Sequence, residues 1–170
     1  MILIRAATVE DMPALQQLAV LCYTDTFGEY YAPDELNKYL DDTYGSVKLH
    51  EEFAEPFSKM LLAFDDNKLV GFMRLRKNLI ANKLLGPNNL EIHQLYVHRY
   101  YHGAGVSTLL MEEAFKYALA QGYSSIWLSV WEHNTRAQRF YTKGGFKVFD
   151  RHNYMAGNEP QVDLLMSRKL

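Results

Sequence analysis

Residues Leu95-Tyr96-Val97-His98-Arg99-Tyr100-Tyr101-His102-Gly103-Ala104-Gly105-Val106-Ser107 join a strand-like run to a helix-like run. Glycines at such a junction let the backbone bend tightly and come close to a ligand. The opening N–H groups of a helix have no partner inside it and lie at the positive end of its dipole, so the junction can receive phosphate oxygens. A turn that needs glycine for steric reasons alone fits the same residues. The Walker A pattern is excluded, because no Gly-Lys-Ser/Thr closes the turn, and the dinucleotide fingerprint lacks its third glycine, with Thr108 in that place. Cys22 is the single cysteine and shares a helical stripe with Leu15, Leu18 and Ala19. It reads as core rather than nucleophile, and it rules out an intrachain disulfide. The histidines are not arranged in zinc-ligand pairs of the H-x-x-x-H kind with a carboxylate, and no metal is expected.

Placing that turn requires the elements on either side. Ile2 to Ala7 reads as a strand. Thr8 and Asp11 have capping-box spacing, Pro13 suits a first helical turn, and the helix runs to about Phe27. A second helix covers Pro33 to Leu40, and a third, short one runs from Ser46 through Phe53 until Pro56 ends it. Met60 to Phe64 and Lys68 to Arg76 form a hairpin about Asp65-Asp66-Asn67. Asn78 to Asn89 is a loop, Leu90 to Val97 a strand, and Val106 to Ala120 a helix closed by Gly122. Ile126 to Val130 is a strand, Asn134 to Lys143 a helix stopped by Gly144-Gly145, and Phe146 to Asp150 and Val162 to Ser167 are the last strands. This is α/β or α+β, expected as a single domain over residues 1–170.

The bulk numbers exclude more than they assign. The net charge of -2, with no block of five like charges, gives no field for nucleic acid or an anionic membrane. No apolar run approaches the ~18 residues of a membrane span. The N-terminus lacks a basic stretch followed by an apolar one, so we expect no signal peptide and a cytoplasmic protein.

The turn followed by Leu128-Ser129-Val130-Trp131-Glu132-His133-Asn134-Thr135-Arg136-Ala137-Gln138-Arg139-Phe140-Tyr141-Thr142-Lys143-Gly144-Gly145-Phe146 resembles the GNAT superfamily of N-acetyltransferases. Tyr23-Thr24-Asp25-Thr26-Phe27, Glu91-Ile92, Val130-Trp131-Glu132, His152-Asn153-Tyr154-Met155 and Gln161-Val162-Asp163-Leu164 look like the bacterial spermine/spermidine acetyltransferases, so the resemblance covers most of the chain. Two positions depart from the usual turn: His102 stands where Arg or Gln is usual, and Ser107 where Gly or Ala is usual. A neutral side chain at 102 puts the grip on phosphate in doubt.

The resemblance implies a GNAT fold: a mixed, mostly antiparallel sheet of about seven strands flanked by helices, with a splayed parallel pair around the cofactor. It implies acetyl-CoA as cosubstrate, its pyrophosphate on the amides of His102, Gly103, Ala104, Gly105, Val106 and Ser107, and its pantetheine arm along Leu95, Tyr96 and Val97. Tyr141 then acts as acid to the leaving thiolate, the Leu95 amide stabilises the oxyanion, Asn134 contacts the cofactor arm and Lys143 the adenosine phosphate. For Asn134 a helix N-cap, and for Lys143 an ordinary solvated lysine, remain open.

Strand alternation puts Glu91, His93, Leu95 and Val97 on one face. Glu91 is the candidate base, through water, with His93 as second candidate; a salt bridge and a packed histidine are the plain alternatives. Acceptor candidates are Tyr23, Asp25, Phe27, Tyr30, His93, His152, Tyr154 and Asp163, whose carboxylates and aromatic faces suit a polycation. Spermidine or spermine leads. A peptide, a protein lysine or an aminoglycoside amine stays open, as do a non-catalytic acetyl-CoA sensor and a different nucleotide-binding protein. A homodimer is the expected assembly.

Overall fold

Seven strands alternate with helices along the chain: β1 (Ile2–Ala6), α1 (Met12–Phe27), α2 (Pro33–Tyr44), α3 (Ser46–Ala54), β2 (Ser58–Asp65), β3 (Lys68–Lys77), β4 (Asn89–Val97), α4 (Val106–Ala120), β5 (Ser125–Trp131), α5 (Thr135–Lys143), β6 (Lys147–Ala156) and β7 (Glu159–Lys169). The computed structural model describes residues 1–77, 84–156 and 159–170, with only the backbone at 154–156 and 159. Half of the loop expected over Asn78 to Asn89, residues 78–83, lies outside them. The strands order as β1-β2-β3-β4-β5-β7-β6. The sheet is mostly antiparallel, and β4 with β5 is parallel, in register from Asn89↔Ser125 to Ile92↔Leu128. β4 itself continues to Val97 and β5 to Trp131.

The chain forms two compact units. The first comprises Met1–Leu75 and Gln94–Glu113. Its core joins α1, α2 and α3 to β2 and β3 through Leu15, Leu18, Tyr23, Tyr44, Leu49, Leu62 and Phe72. The helix entry works as the spacing predicts: the Thr8 amide donates to the Asp11 carboxylate at 2.8 Å, and Pro13 falls in the first turn of α1. Arg5 holds that same carboxylate at 2.7 Å. Buried Arg74 pairs with Glu52 at 3.0 Å and with Glu55, tying α3 and its exit to β3.

The second unit comprises Arg76–His93 and Ala114–Leu170. Here α5 lays Tyr141 against Phe146, and the Arg168 guanidinium covers Phe115 at 4.3 Å while donating to the Gly144 carbonyl at 2.7 Å. β6 and β7 extend well beyond the expected Phe146–Asp150 and Val162–Ser167, pairing as far as Ala156↔Glu159. Pro160 and the polar run His152-Asn153 disguised this hairpin in the sequence. Strand propensity depends on context, and a proline is tolerated near a strand's start. α2 likewise runs one turn past Leu40, to Tyr44, whose buried ring anchors the extra turn.

Candidate active site

The turn at 98–107 belongs to the first unit. His98 is fixed by its amide donating to the Val70 carbonyl at 2.8 Å. A short 3-10 turn, Arg99–Tyr101, then leads to Gly103 and Gly105, both at φ +83. That region is strained for any residue with a Cβ, whereas space itself is not limiting, because a Cβ added at either glycine meets nothing within 4 Å. The backbone path is therefore what these glycines supply. Among the described residues the amides of Gly103 and Gly105 carry no backbone hydrogen bond. Those of Val106 and Ser107 are opening donors of α4.

His102 is exposed, and one of its ring nitrogens turns back onto the chain. Its Nε2 lies 2.8 Å from the Val97 carbonyl, so the ring ties the turn to the end of β4. This accounts for a residue that breaks the usual motif: it braces the loop.

Gly71 supports the same turn, and the sequence reading missed it. A Cβ there would sit 3.1 Å from Val106, 3.2 Å from Val97 and 3.2 Å from the Tyr96 carbonyl. Only glycine lets β3 come that close under β4 and the start of α4. The signal was present as a lone glycine inside an apolar strand. Beside it, Tyr96 stacks on Phe72 at 5.5 Å.

The acceptor candidates of the first unit are not gathered into one wall. Tyr23 is 6% exposed, stacks on Tyr39 at 4.6 Å and shares a 2.9 Å hydrogen bond with the Tyr31 hydroxyl. Burial, then Tyr31 and Tyr39, push its phenol well above the ordinary value. Phe27 packs on it at 4.8 Å. Tyr30 is exposed, and Asp25 faces Arg99 at 3.6 Å. Cys22 is buried and its thiol is pushed up to about 12, by burial first and Asp25 second, as suits core packing.

In the second unit Glu91 is buried on β4 and clamped by Arg76, with Nε at 2.6 Å and Nη2 at 3.1 Å from its two oxygens. His93 Nδ1 stands 3.4 Å from Oε1. Burial pushes this carboxyl up, but the bonds from His93 and Arg76 outweigh it and hold the group below its usual range. Glu91 therefore stays ionised. Tyr141, at the end of α5, is buried, and burial pushes its phenol above the ordinary value. Phe140 and Phe146 meet its ring edge-on at 5.4 and 5.8 Å. Among the described residues its hydroxyl makes no hydrogen bond.

Asn134 caps α5, accepting from the Ala137 amide at 3.1 Å. Lys143 is exposed on the outer face of that helix, beside Arg139, Thr135 and Thr142 in a shallow groove. Asp163 on β7 lies opposite Trp131 of β5 and His152 of β6, and accepts from the Ser129 hydroxyl at 2.5 Å. Tyr154 is on β6, with its side chain outside the described residues. Among the described residues no cluster of three or more His, Cys, Asp or Glu is arranged to hold a metal, and no helix is long and apolar enough to cross a membrane.

The chain is 30% identical, over 95% of its length and 93% of the other's, to an uncharacterized N-acetyltransferase of Lactobacillus delbrueckii subsp. lactis. It is also 30% identical to the spermidine N(1)-acetyltransferase of Thermoplasma acidophilum, over 86% of this chain and 89% of that one. The crystal structure of the PaiA N-acetyltransferase from Thermoplasma acidophilum in complex with coenzyme A matches with a TM-score of 0.81 at 27% identity, covering 100% of this chain and 99% of that chain. The profile of the acetyltransferase (GNAT) family matches residues 12–146, and with the fold and glycine turn in agreement, the chain belongs to that family.

Proposed function

We propose that this protein carries an acetyl group from acetyl-CoA to a primary amine by direct attack, that the acceptor is a polyamine such as spermidine or spermine, and that residues 1–170 work as a single catalytic domain. The polyamine assignment draws on the relative in Thermoplasma that bears a spermidine acetyltransferase name. The residues fit acetyl-CoA on their own geometry. Two left-handed glycines leave a row of amides at the head of α4, which suits the pyrophosphate. β4 runs on to Val97 after its last register pair with β5 at Ile92, which suits an extended pantetheine arm along Leu95–Val97. The cosubstrate supplies an activated acyl group and a thiolate leaving group.

The observation that carries the reading is the Tyr141 phenol, buried and without a protein partner among the described residues. A hydroxyl that is not spent on the protein is left to donate to a bound group. Burial keeps this phenol protonated. Against a thiol of ordinary pKa about 8.5, complete proton transfer is uphill, so its stabilising effect is a charge-assisted hydrogen bond to the departing sulfur. The Leu95 amide is the oxyanion donor in this scheme.

Base duty falls to His93. A carboxylate already clamped by a guanidinium is a weak proton acceptor, while the His93 ring faces Glu91 through Nδ1 and leaves Nε2 for the amine proton. Glu91, 3.4 Å from His93, orients the ring. Asn134 serves the cofactor arm as well as its helix, and Lys143 the adenosine phosphate. Tyr23, Asp25, Phe27 and Tyr30 stay candidates for acceptor contact.

The test is a thiol-release assay with acetyl-CoA against spermidine, spermine, free amino acids, peptides and aminoglycosides, on wild type and Tyr141→Phe. We expect turnover on polyamines and a large loss of kcat in the variant with acetyl-CoA affinity kept. Turnover only on a peptide or aminoglycoside reassigns the acceptor. Acetyl-CoA binding without turnover on any amine points instead to a sensor.

A further inference from the structure

Carboxylates withdrawn from water in this chain are matched to guanidinium groups. Asp11 has Arg5 at 2.7 Å, Glu52 has Arg74 at 3.0 Å and Glu91 has Arg76 at 2.6 Å. Asp163 is the contrast. It is half-buried on β7, and its hydrogen-bond partner is the Ser129 hydroxyl at 2.5 Å. Among the described residues no lysine or arginine pairs with it. Burial raises its carboxyl above the ordinary range, an effect that Ser129 and then His152 only partly oppose. A desolvated anion without a matching cation is unfavourable, and a cationic ligand arriving there removes the penalty.

The surroundings are those of a cation seat. Trp131 of β5 is directly opposite Asp163 in register, and Ser129 lies two residues earlier on the same face. The Trp131 indole, which His133 meets edge-on at 5.1 Å, lies beside that carboxylate and can add its ring to the seat of a cation. The Ser129 oxygen, having donated its proton to Asp163, keeps lone pairs for an ammonium N–H. Both residues sit at the carboxyl end of β5, past Leu128, where its register with β4 ends, and immediately before the turn to Asn134 and Tyr141.

We infer that Asp163, with Ser129 and Trp131, seats a second ammonium group of the acceptor, one that is not acetylated, and so selects amines that carry two or more positive charges. This rests on the polyamine reading and adds to it the place where the extra charge is recognised. Asp163 is a specificity residue here and takes no part in bond making.

The experiment compares two acceptors of equal length, 1,8-diaminooctane and n-octylamine, by thiol release with acetyl-CoA on wild type, Asp163→Asn, Asp163→Glu and Ser129→Ala. Wild type is expected to favour the diamine by about tenfold or more in kcat/KM, the order of one well-placed charge pair. Asp163→Asn is expected to raise the diamine KM about tenfold, with kcat and the acetyl-CoA KM within about twofold, and to leave octylamine unchanged, so the preference disappears. Asp163→Glu restores part of it, and Ser129→Ala raises the diamine KM about threefold. These two variants carry the test if Asp163→Asn fails to fold. A diamine preference that survives Asp163→Asn overturns the inference and leaves the polyamine reading standing. An equal loss on both amines assigns Asp163 a structural role and also overturns it. Wild type that acetylates a peptide or aminoglycoside but neither of these amines overturns both.

Discussion

At Gly103–Gly105 the groups offered to a ligand are backbone amides, set by two residues at φ +83 and braced by His102. In the second unit the groups offered are side chains, Tyr141, Glu91 with His93, and Asp163, each tuned by what lies against it. A backbone site tolerates changes of side chain so long as the path of the chain is kept. A side-chain site is sensitive to single atoms. The first arrangement suits holding a large cosubstrate common to a family, and the second suits chemistry and selectivity.

The sharpest way to break that contrast is to remove one oxygen. Tyr141→Phe keeps the ring packing against Phe140 and Phe146 and deletes the donor. We expect kcat to fall about 10²-fold or more, the usual span for a positioned acid, with the acetyl-CoA KM within about twofold. Steady-state thiol release measures both. A fall in KM and kcat together would move Tyr141 into ground-state binding, and an unchanged kcat would remove its role.

Next in size is the Arg76–Glu91 clamp, where the two partners differ in exposure, 36% against 8% for their side chains. Arg76→Ala leaves a buried charge uncompensated and should cost about 3 kcal/mol in urea unfolding. Glu91→Gln leaves an arginine that reaches water and should cost about 1 kcal/mol. The pH dependence follows from the direction of the shift. Glu91 titrates lower in the folded chain than its reference of 4.5, so its contribution is present above about pH 4.5 and is lost as pH falls through the folded value. Wild type should therefore lose thermal stability more steeply in acid than Glu91→Gln. The same variant separates the base candidates. If His93 takes the proton, Glu91→Gln keeps the acid limb of kcat/KM. Disappearance of that limb would make Glu91 the base.

These differences also explain what the sequence disclosed. The glycine turn, the capping pair Thr8 and Asp11, and the Asn134 cap are local, with partners within a few residues, and spacing exposed them. Tyr141 stood out because it sits in a long ordered pattern. The partners that decide behaviour are remote: Arg76 is 15 residues from Glu91, and Ser129 is 34 from Asp163. No periodicity reports such a pairing, since it depends on which strands become neighbours. Tyr23 is a further case of remote partners: its ring packs on Tyr39 as well as on nearby Phe27.

A substitution at Gly105 tests the backbone side of the comparison. Gly105→Ala forces a Cβ into φ +83 without meeting any neighbour, so the effect comes from the backbone alone, about 1 kcal/mol or somewhat more. If the turn relaxes to relieve that strain, the amides lose their aim. The acetyl-CoA KM should then rise about tenfold while kcat at saturation stays within about twofold. An unchanged KM would mean that the turn is shaped for packing only.

The smallest effect expected is at His102. The ring bonds the Val97 carbonyl at 2.8 Å, so His102→Ala removes a brace and not a phosphate contact, worth about 1 kcal/mol. The acetyl-CoA KM should rise about threefold to fivefold, and the affinity for dephospho-CoA and for CoA should fall by the same factor, because what is lost is the shape of the turn. His102→Arg, the residue more usual at this position, distinguishes the two uses of the site. If it tightens CoA binding in low salt and the gain fades as salt is added, the amides alone were holding the diphosphate, and a guanidinium improves a grip this chain makes without one. If it weakens binding instead, the brace to Val97 matters more than the added charge, and the geometry of the turn is the limiting factor.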